Sequence, residues 1–150
     1  MIKVLFICHG NICRSPMAQY VFADMVKKQG MGYLFEIDSA ATSREEIGNG
    51  VHHGTRRKLA EMGIPCGDHR ARQVTKADYK FYDYLLIMDA NNRRNLMRII
   101  GSDPDNKVHE LLDFSRRPRD IADPWYTGNF DVTYEDVVEG CRDFLQHVMK

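Results

Sequence analysis

The chain has 150 residues, enough for one domain with a real core, and its 21 basic and 21 acidic residues cancel and are mixed along its length. That balance argues against nonspecific binding to nucleic acid or to a membrane surface. Four irregularly spaced cysteines fit a reducing cytoplasm better than a disulfide scaffold, and the apolar run Val4–Ile7 is too short for a signal peptide or a membrane span.

Strand and helix patterns alternate from end to end. Lys3–Ile7 is β-branched and apolar, which predicts a buried parallel strand. After the stretch Cys8–Arg14, Ser15 and Pro16 form a helix start, with serine as the cap and proline at the first helical position. Met17, Val21 and Met25 then recur at helical spacing, and Tyr20, Phe22 and Val26 widen the apolar side. Tyr33–Ala40 reads as a second strand, and Gly54–Met62 as a helix stopped by Gly63 and Pro65. Thr75-Lys76-Ala77-Asp78 is a variant capping box before a short helix. Tyr84–Met88 is a continuous apolar run, hence a central strand, and Asn91–Ile100 follows as a helix stopped by Gly101 and Pro104. Val108–Leu112 predicts a fourth strand, and Ser115–Pro124 a loop within the domain. The last helix carries one apolar stripe through Tyr134, Val137, Val138, Cys141, Phe144, Leu145 and Val148, with Thr133 as its cap and Glu135 and Asp136 in its first turn. Strands alternating with helices imply a parallel sheet covered on both faces, and nothing divides residues 1–150 into more than one domain.

The stretch Cys8-His9-Gly10-Asn11-Ile12-Cys13-Arg14-Ser15-Pro16 falls between a strand and a helix, where open α/β sheets bind ligands. A tight loop there points successive N–H groups inward, and the helix N-terminus adds its dipole, so the concavity favours an anion. The same field favours a thiolate at Cys8, the nucleophilic form. Arg14 can grip two oxygens of a tetrahedral oxyanion with its planar fork. Two plainer readings compete. Cys8 could be a small core residue, or Cys8, His9 and Cys13 could begin a metal site. The second lacks partners, since Cys66 and Cys141 stand alone.

These residues resemble the low-molecular-weight protein tyrosine phosphatases, whose pattern of a cysteine and a later Arg-Ser, in its fuller form Gly-Asn-Ile-Cys-Arg-Ser-Pro, stands here at positions 10–16. The resemblance continues in order through Ser39-Ala40-Ala41-Thr42-Ser43, Glu46-Ile47-Gly48-Asn49, Ala71-Arg72-Gln73, Met88-Asp89 and Asp123-Pro124-Trp125-Tyr126, and so covers nearly the whole chain. It implies an α/β three-layer sandwich of flavodoxin-like topology: a four-stranded parallel sheet, helices on both faces, and the anion-binding loop after the first strand. It also implies hydrolysis of phosphotyrosine monoesters in protein substrates, without metal or cofactor, in a monomeric cytoplasmic protein. Phosphate, sulfate or vanadate would be the active-site anions.

By the same resemblance Cys8 is the nucleophile, Arg14 the phosphate clamp and Asp123 the general acid and then base. From residues alone, Asp123-Pro124 only starts a turn, although Trp125 and Tyr126 beside it are apolar neighbours that favour a protonated carboxyl. The phosphate pocket would comprise His9, Gly10, Asn11, Ile12, Cys13 and Ser15, with Ser15 either donating to the Cys8 sulfur or simply capping the helix. Trp125 and Tyr126 would wall an aryl group, and Trp125 replaces a tyrosine usual in the family. Ser39 and His69 would support Asn11, a residue that tolerates left-handed backbone. On residues alone, they are a strand-end serine and a surface histidine. Cys13 would be a redox partner that traps oxidised Cys8 as a disulfide, or else a packed helix-start cysteine. Arg44 and Glu45 stand where many relatives carry an aromatic, so one wall of the cleft becomes charged, with Glu45 part of it. Arg116, Arg117 and Arg119 read as a solvated basic loop that could otherwise attract acidic peptides. Three other activities share the scaffold. A protein arginine phosphatase would carry threonine in place of Ile12. An arsenate reductase would relay electrons through further cysteines. A noncatalytic phosphotyrosine-binding module would have lost Cys8, Arg14 or Asp123.

Overall fold

In the computed structural model, which describes residues 1–150, four parallel strands run side by side in the order β2-β1-β3-β4. They are β1 (Ile2–Cys8), β2 (Phe35–Ala41), β3 (Tyr84–Ile87) and β4 (Val108–Glu110). The central β1 pairs with β2 from Ile2↔Phe35 to Cys8↔Ala41 and with β3 from Val4↔Tyr84 to Ile7↔Ile87. Val4, Leu5, Phe6 and Ile7 are all fully buried, because helices cover both faces, and this is why the strand reads as an unbroken apolar run. Val4, Phe6 and Cys8 face a larger core shared with α1 (Arg14–Lys28), α2 (His53–Glu61) and α6 (Phe130–Val148). Leu5 and Ile7 face a smaller core with α3 (Lys76–Phe81) and α4 (Ala90–Ile100). A single-turn helix, α5 (Pro124–Thr127), lies between β4 and α6.

Several local expectations hold in detail. Thr75 and Asp78 form a reciprocal capping box (3.2 and 2.8 Å). Gly101 ends α4 at φ 86°, a backbone region that favours glycine. The α6 stripe buries Val137, Cys141, Phe144 and Leu145, and Tyr134, Val138 and Val148 pack at its edges. Gly140 in the middle of α6 has a packing reason: a Cβ there would lie 2.5 Å from Leu111 Cγ.

Other boundaries move. The second strand starts at Phe35, because Gly32–Leu34 form a 3-10 turn that leaves Tyr33 74% exposed. The fourth strand ends at Glu110, and the buried Leu111 and Leu112 belong to a 3-10 turn, Leu111–Phe114. Apolar content cannot separate a short strand from a buried turn. α1 begins at Arg14, so Ser15 does not cap it; its hydroxyl is engaged elsewhere. α6 begins at Phe130, capped by Asn129 (Oδ1 accepting from Val132 N, 3.1 Å). Thr133, expected as that cap, lies inside the first turn and donates to the carbonyls of Asn129 and Ala122. Arg116 and Arg117 are exposed as expected. Arg119 is instead pinned to α6 by Asp136 (2.8 Å) and Glu139 (3.1 Å).

Candidate active site

Because all strands are parallel, the segments after β1, β2, β3 and β4 emerge at one edge of the sheet. The loop after β1 turns at Asn11, whose φ of 61° is a left-handed geometry that asparagine tolerates better than most residues. The reversal brings the loop back over Cys8. The Cys8 sulfur, on a residue only 3% exposed, receives the N–H groups of Asn11 (3.3 Å) and Ser15 (3.4 Å), and the Ser15 hydroxyl lies 3.0 Å away. These groups surround the sulfur with hydrogen-bond donors.

The turn is held by side chains from three directions. Asn11 Nδ2 donates to Ser15 Oγ (2.7 Å) and Ser39 Oγ (2.9 Å). Its Oδ1 accepts from His69 Nε2 (2.8 Å) and from the Arg72 N–H (3.2 Å). Ser39 donates onward to Gln19 Oε1 (2.5 Å). His69, unlike a surface histidine, has a side chain only 9% exposed, and its Nδ1 lies 3.5 Å from Asp38. Burial pulls its pKa below the ordinary value, outweighing Asp38. From α2, the His52 N–H donates to the Ile12 carbonyl (2.8 Å) and Thr55 Oγ1 to the Cys13 carbonyl (3.1 Å). Cys13 is buried, and desolvation, followed by the neighbouring Cys8, pushes its thiol up to about 12.

Arg14 is 2% exposed. Its Nη1 donates to Asp89 (2.6 Å) and to the Ile121 carbonyl (2.9 Å), and Nη2 reaches Asp123 Oδ2 (3.4 Å). Burial opposes its charge, but the Cys8 sulfur, Asp89 and Asp123 together outweigh it and hold the guanidinium above its usual value. Its Nε is buried with no protein partner, a donor suited to a ligand oxygen. Asp123 caps α5, its Oδ1 accepting from the Trp125 N–H (3.0 Å), with Pro124 in the first helical position and Gly128 closing the turn at φ 71°. Cys8, Arg14 and Asp123, remote in sequence, thus line one cavity of about 110 Å³.

A family model described as low molecular weight phosphotyrosine protein phosphatase matches residues 3–150. The chain belongs to this phosphatase family. It is 39% identical over 152 residues to the low molecular weight protein-tyrosine-phosphatase YfkJ of Bacillus subtilis, covering 100% of this chain and 97% of YfkJ. It is 40% identical over 149 residues to the human low molecular weight phosphotyrosine protein phosphatase, covering 96% and 94% of the two chains. Its fold superposes on the YfkJ crystal structure with a TM-score of 0.95 at 38% identity, covering 99% and 95%. The Drosophila arginine phosphatase superposes with a TM-score of 0.90 at 28% identity, covering 99% of each chain.

Around the phosphatase cavity, His9, Gly10, Ile12 and Cys13 complete the lining from the loop, while Asn11 and Ser15 stand behind it as supports. Trp125 and Tyr126, 57% and 82% exposed, also line the cavity. The surroundings of Asp123 are less apolar than its sequence neighbours suggest, because those rings turn to solvent and its carboxylate faces Arg14. The lining also includes Glu45, paired with His9 (2.9 Å), and Glu46, held by Asn49 (2.6 Å). Arg44 turns away to Gln73 (3.1 Å). Glu46, Arg72 and Asp89 lie in stretches shared with the family but carried no assigned role, and Gln19, His52 and Thr55 carried no signal in the sequence. No group of three or more His, Cys, Asp or Glu is placed to hold a metal ion, and no helix is long and apolar enough to cross a membrane.

Proposed function

We propose that the chain is a protein tyrosine phosphatase that hydrolyses phosphotyrosine monoesters in proteins through a phosphocysteine intermediate. The observation that carries this reading is the convergence of Cys8, Arg14 and Asp123 on one cavity, with Arg14 Nε left without a protein partner. The Cys8 thiolate attacks phosphorus, the P–O bond to the tyrosyl oxygen breaks, and protonated Asp123 gives that oxygen its proton. Asp123, now ionised, takes a proton from a water that attacks the phosphocysteine. The S–P bond breaks, inorganic phosphate leaves, and the Cys8 thiolate returns. Loop N–H groups and Arg14 stabilise the equatorial oxygens throughout. Ser15 and the two N–H groups on the sulfur ease its departure in the second step.

Phosphate, sulfate and vanadate fit the same cradle. Glu45, Glu46, Trp125 and Tyr126 are the walls that select the protein substrate. Ser39 and His69 hold Asn11 and take no part in proton transfer. Once a peroxide has oxidised Cys8 to a sulfenic acid, Cys13 attacks that sulfur, the disulfide forms and water leaves, which spares Cys8 irreversible oxidation, although the raised pKa of Cys13 makes it a slow attacking thiol. Residues 1–150 act as one domain, as a monomer, and the free cysteines suit the cytoplasm. An arsenate reductase relay through Cys66 or Cys141 finds no support, since neither lines the cavity.

The test is hydrolysis of a phosphotyrosine peptide beside a phosphoarginine peptide by wild type and Cys8→Ser. Fast, Cys8-dependent phosphotyrosine turnover is expected. Preference for phosphoarginine would keep the nucleophile and overturn the substrate, against the indication from Ile12. Chelators should leave the rate unchanged, and vanadate should inhibit.

A further inference from the structure

His52 lies outside the cavity lining, at the start of α2, yet it touches both halves of the site. Its backbone N–H donates to the Ile12 carbonyl of the phosphate loop (2.8 Å). Its ring Nδ1 accepts from the Gly54 N–H (3.0 Å), which caps α2 and fixes the ring's orientation. The ring then stacks on Phe130 (centroids 5.4 Å, planes 18° apart) and meets Trp125 edge-on (5.6 Å, 75°). Trp125 is two residues beyond Asp123, and Phe130 opens α6, so the ring grips the acid turn on both sides. Phe130 can come this close only because residue 54 is glycine: a Cβ there would lie 2.4 Å from Phe130 Cζ.

The cap alone does not require histidine, since asparagine, serine or aspartate would accept the same N–H. The ring is what reaches the acid turn. α5 has four residues, too few to hold its own geometry, so its shape depends on what packs against it. No other aromatic ring meets Trp125, which is otherwise largely exposed. Burial and the adjacent His53 keep the His52 ring below its ordinary pKa, with Glu46 and Asp123 pulling weakly the other way, so the Nδ1 lone pair is available near neutrality.

We propose that His52 is a positioning residue for the proton-transfer step: its ring, anchored beside the phosphate loop, seats Trp125 and Phe130 and thereby aims Asp123 at the leaving oxygen. The proposal rests on Asp123 being the general acid. It predicts a specific kinetic signature. A leaving group whose phenol is already acidic departs without a proton, so a misaimed acid is felt only with a poor leaving group such as tyrosine.

The experiment compares kcat/KM for a phosphotyrosine peptide and for the phosphate ester of a strongly acidic phenol, in wild type, His52→Asn, His52→Phe and Asp123→Asn. His52→Asn keeps a cap acceptor and removes the ring; it should lose about tenfold on phosphotyrosine and several-fold less on the activated ester. His52→Phe keeps a ring but gives up the Nδ1 cap, so it should lose less on phosphotyrosine than His52→Asn does. Equal losses on the two esters, no loss at all, or a His52→Phe as impaired as His52→Asn would overturn the assignment. Asp123→Asn reads the acid by itself: if it too loses equally on both esters, the acid role fails, and the His52 proposal falls with it for that separate reason. If His52→Asn does not fold, Phe130→Leu removes the stacked partner of the ring outside the cavity lining and should give the same selective loss; a non-selective loss overturns the proposal there as well.

Discussion

The floor and the rim of the cleft are built on different principles. On the floor, Cys8, Asn11, Arg14 and Ser15 are buried, and the side chain of Asn11 alone makes four hydrogen bonds. At the rim, Glu45, Trp125 and Tyr126 are exposed and lightly held, with one ion pair at His9 and one ring contact at His52. The chemistry at phosphorus needs donors held to within a fraction of an ångström, so burial and cross-linking are concentrated on the floor. Selection among protein substrates tolerates looser walls. The turn at 123–127 is the exception: in the proposed mechanism Asp123 does floor chemistry from a rim segment, tethered at Arg14 and, through Trp125, at His52.

Substitutions that test this contrast should rank in that order. Cys8→Ser removes the nucleophile and should abolish turnover, by about 10⁴-fold or more, while leaving vanadate binding measurable by calorimetry. Asp123→Ala should lower kcat/KM for phosphotyrosine by about 10²–10³-fold without weakening phosphate binding; an active variant would place the acid elsewhere. Asn11→Ala should cost about 2–3 kcal/mol in urea unfolding, combining a left-handed alanine with the unpaired groups left on Ser39, His69 and Arg72, and should slow catalysis too. Glu45→Gln, at the rim, should change stability by less than about 0.5 kcal/mol and alter preference among phosphopeptides a few-fold, read as ratios of kcat/KM.

A smaller effect concerns the segment that leads into the acid turn. Arg119 and, next, Ser115 hold the Glu139 carboxyl down to about 2, below its ordinary value near 4.5. A carboxyl depressed in the folded state contributes stability that is complete above its unfolded value and is lost as pH falls through the folded one. Stability should therefore decline between about pH 4.5 and about pH 2, and Glu139→Gln should flatten that slope in thermal melts while lowering the melting temperature near neutrality. An unchanged slope would mean that the Arg119 network does not fasten this segment.

Local signals in the chain had local causes. The Cys8–Ser15 loop, the apolar β1, the Thr75–Asp78 box and the α6 stripe depend on neighbours in sequence, and the structure matches them. The misplaced boundaries share a different cause. Ser15 left its capping role because the Cys8 sulfur and Asn11 claim its hydroxyl, and Leu111 and Leu112 are buried by Gly140 and α6 rather than by strand pairing.

The residue types and spacing around Cys8 were sufficient, without coordinates, to indicate an anion-binding nucleophile on a parallel α/β sheet, because a strand, a tight loop and a helix start are set by short-range backbone and side-chain preferences. The resemblance already pointed to Asp123, Ser39 and His69; only tertiary structure decided which other distant side chains complete the site. Asp89 and Ile121 hold Arg14, Glu46 joins Glu45 in lining the cavity, and His52 bridges the phosphate loop and the acid turn. Those partners come from the loops after β2 and β3, the start of α2 and the segment after β4. Their meeting depends on strand order and helix packing, which no spacing along the chain encodes.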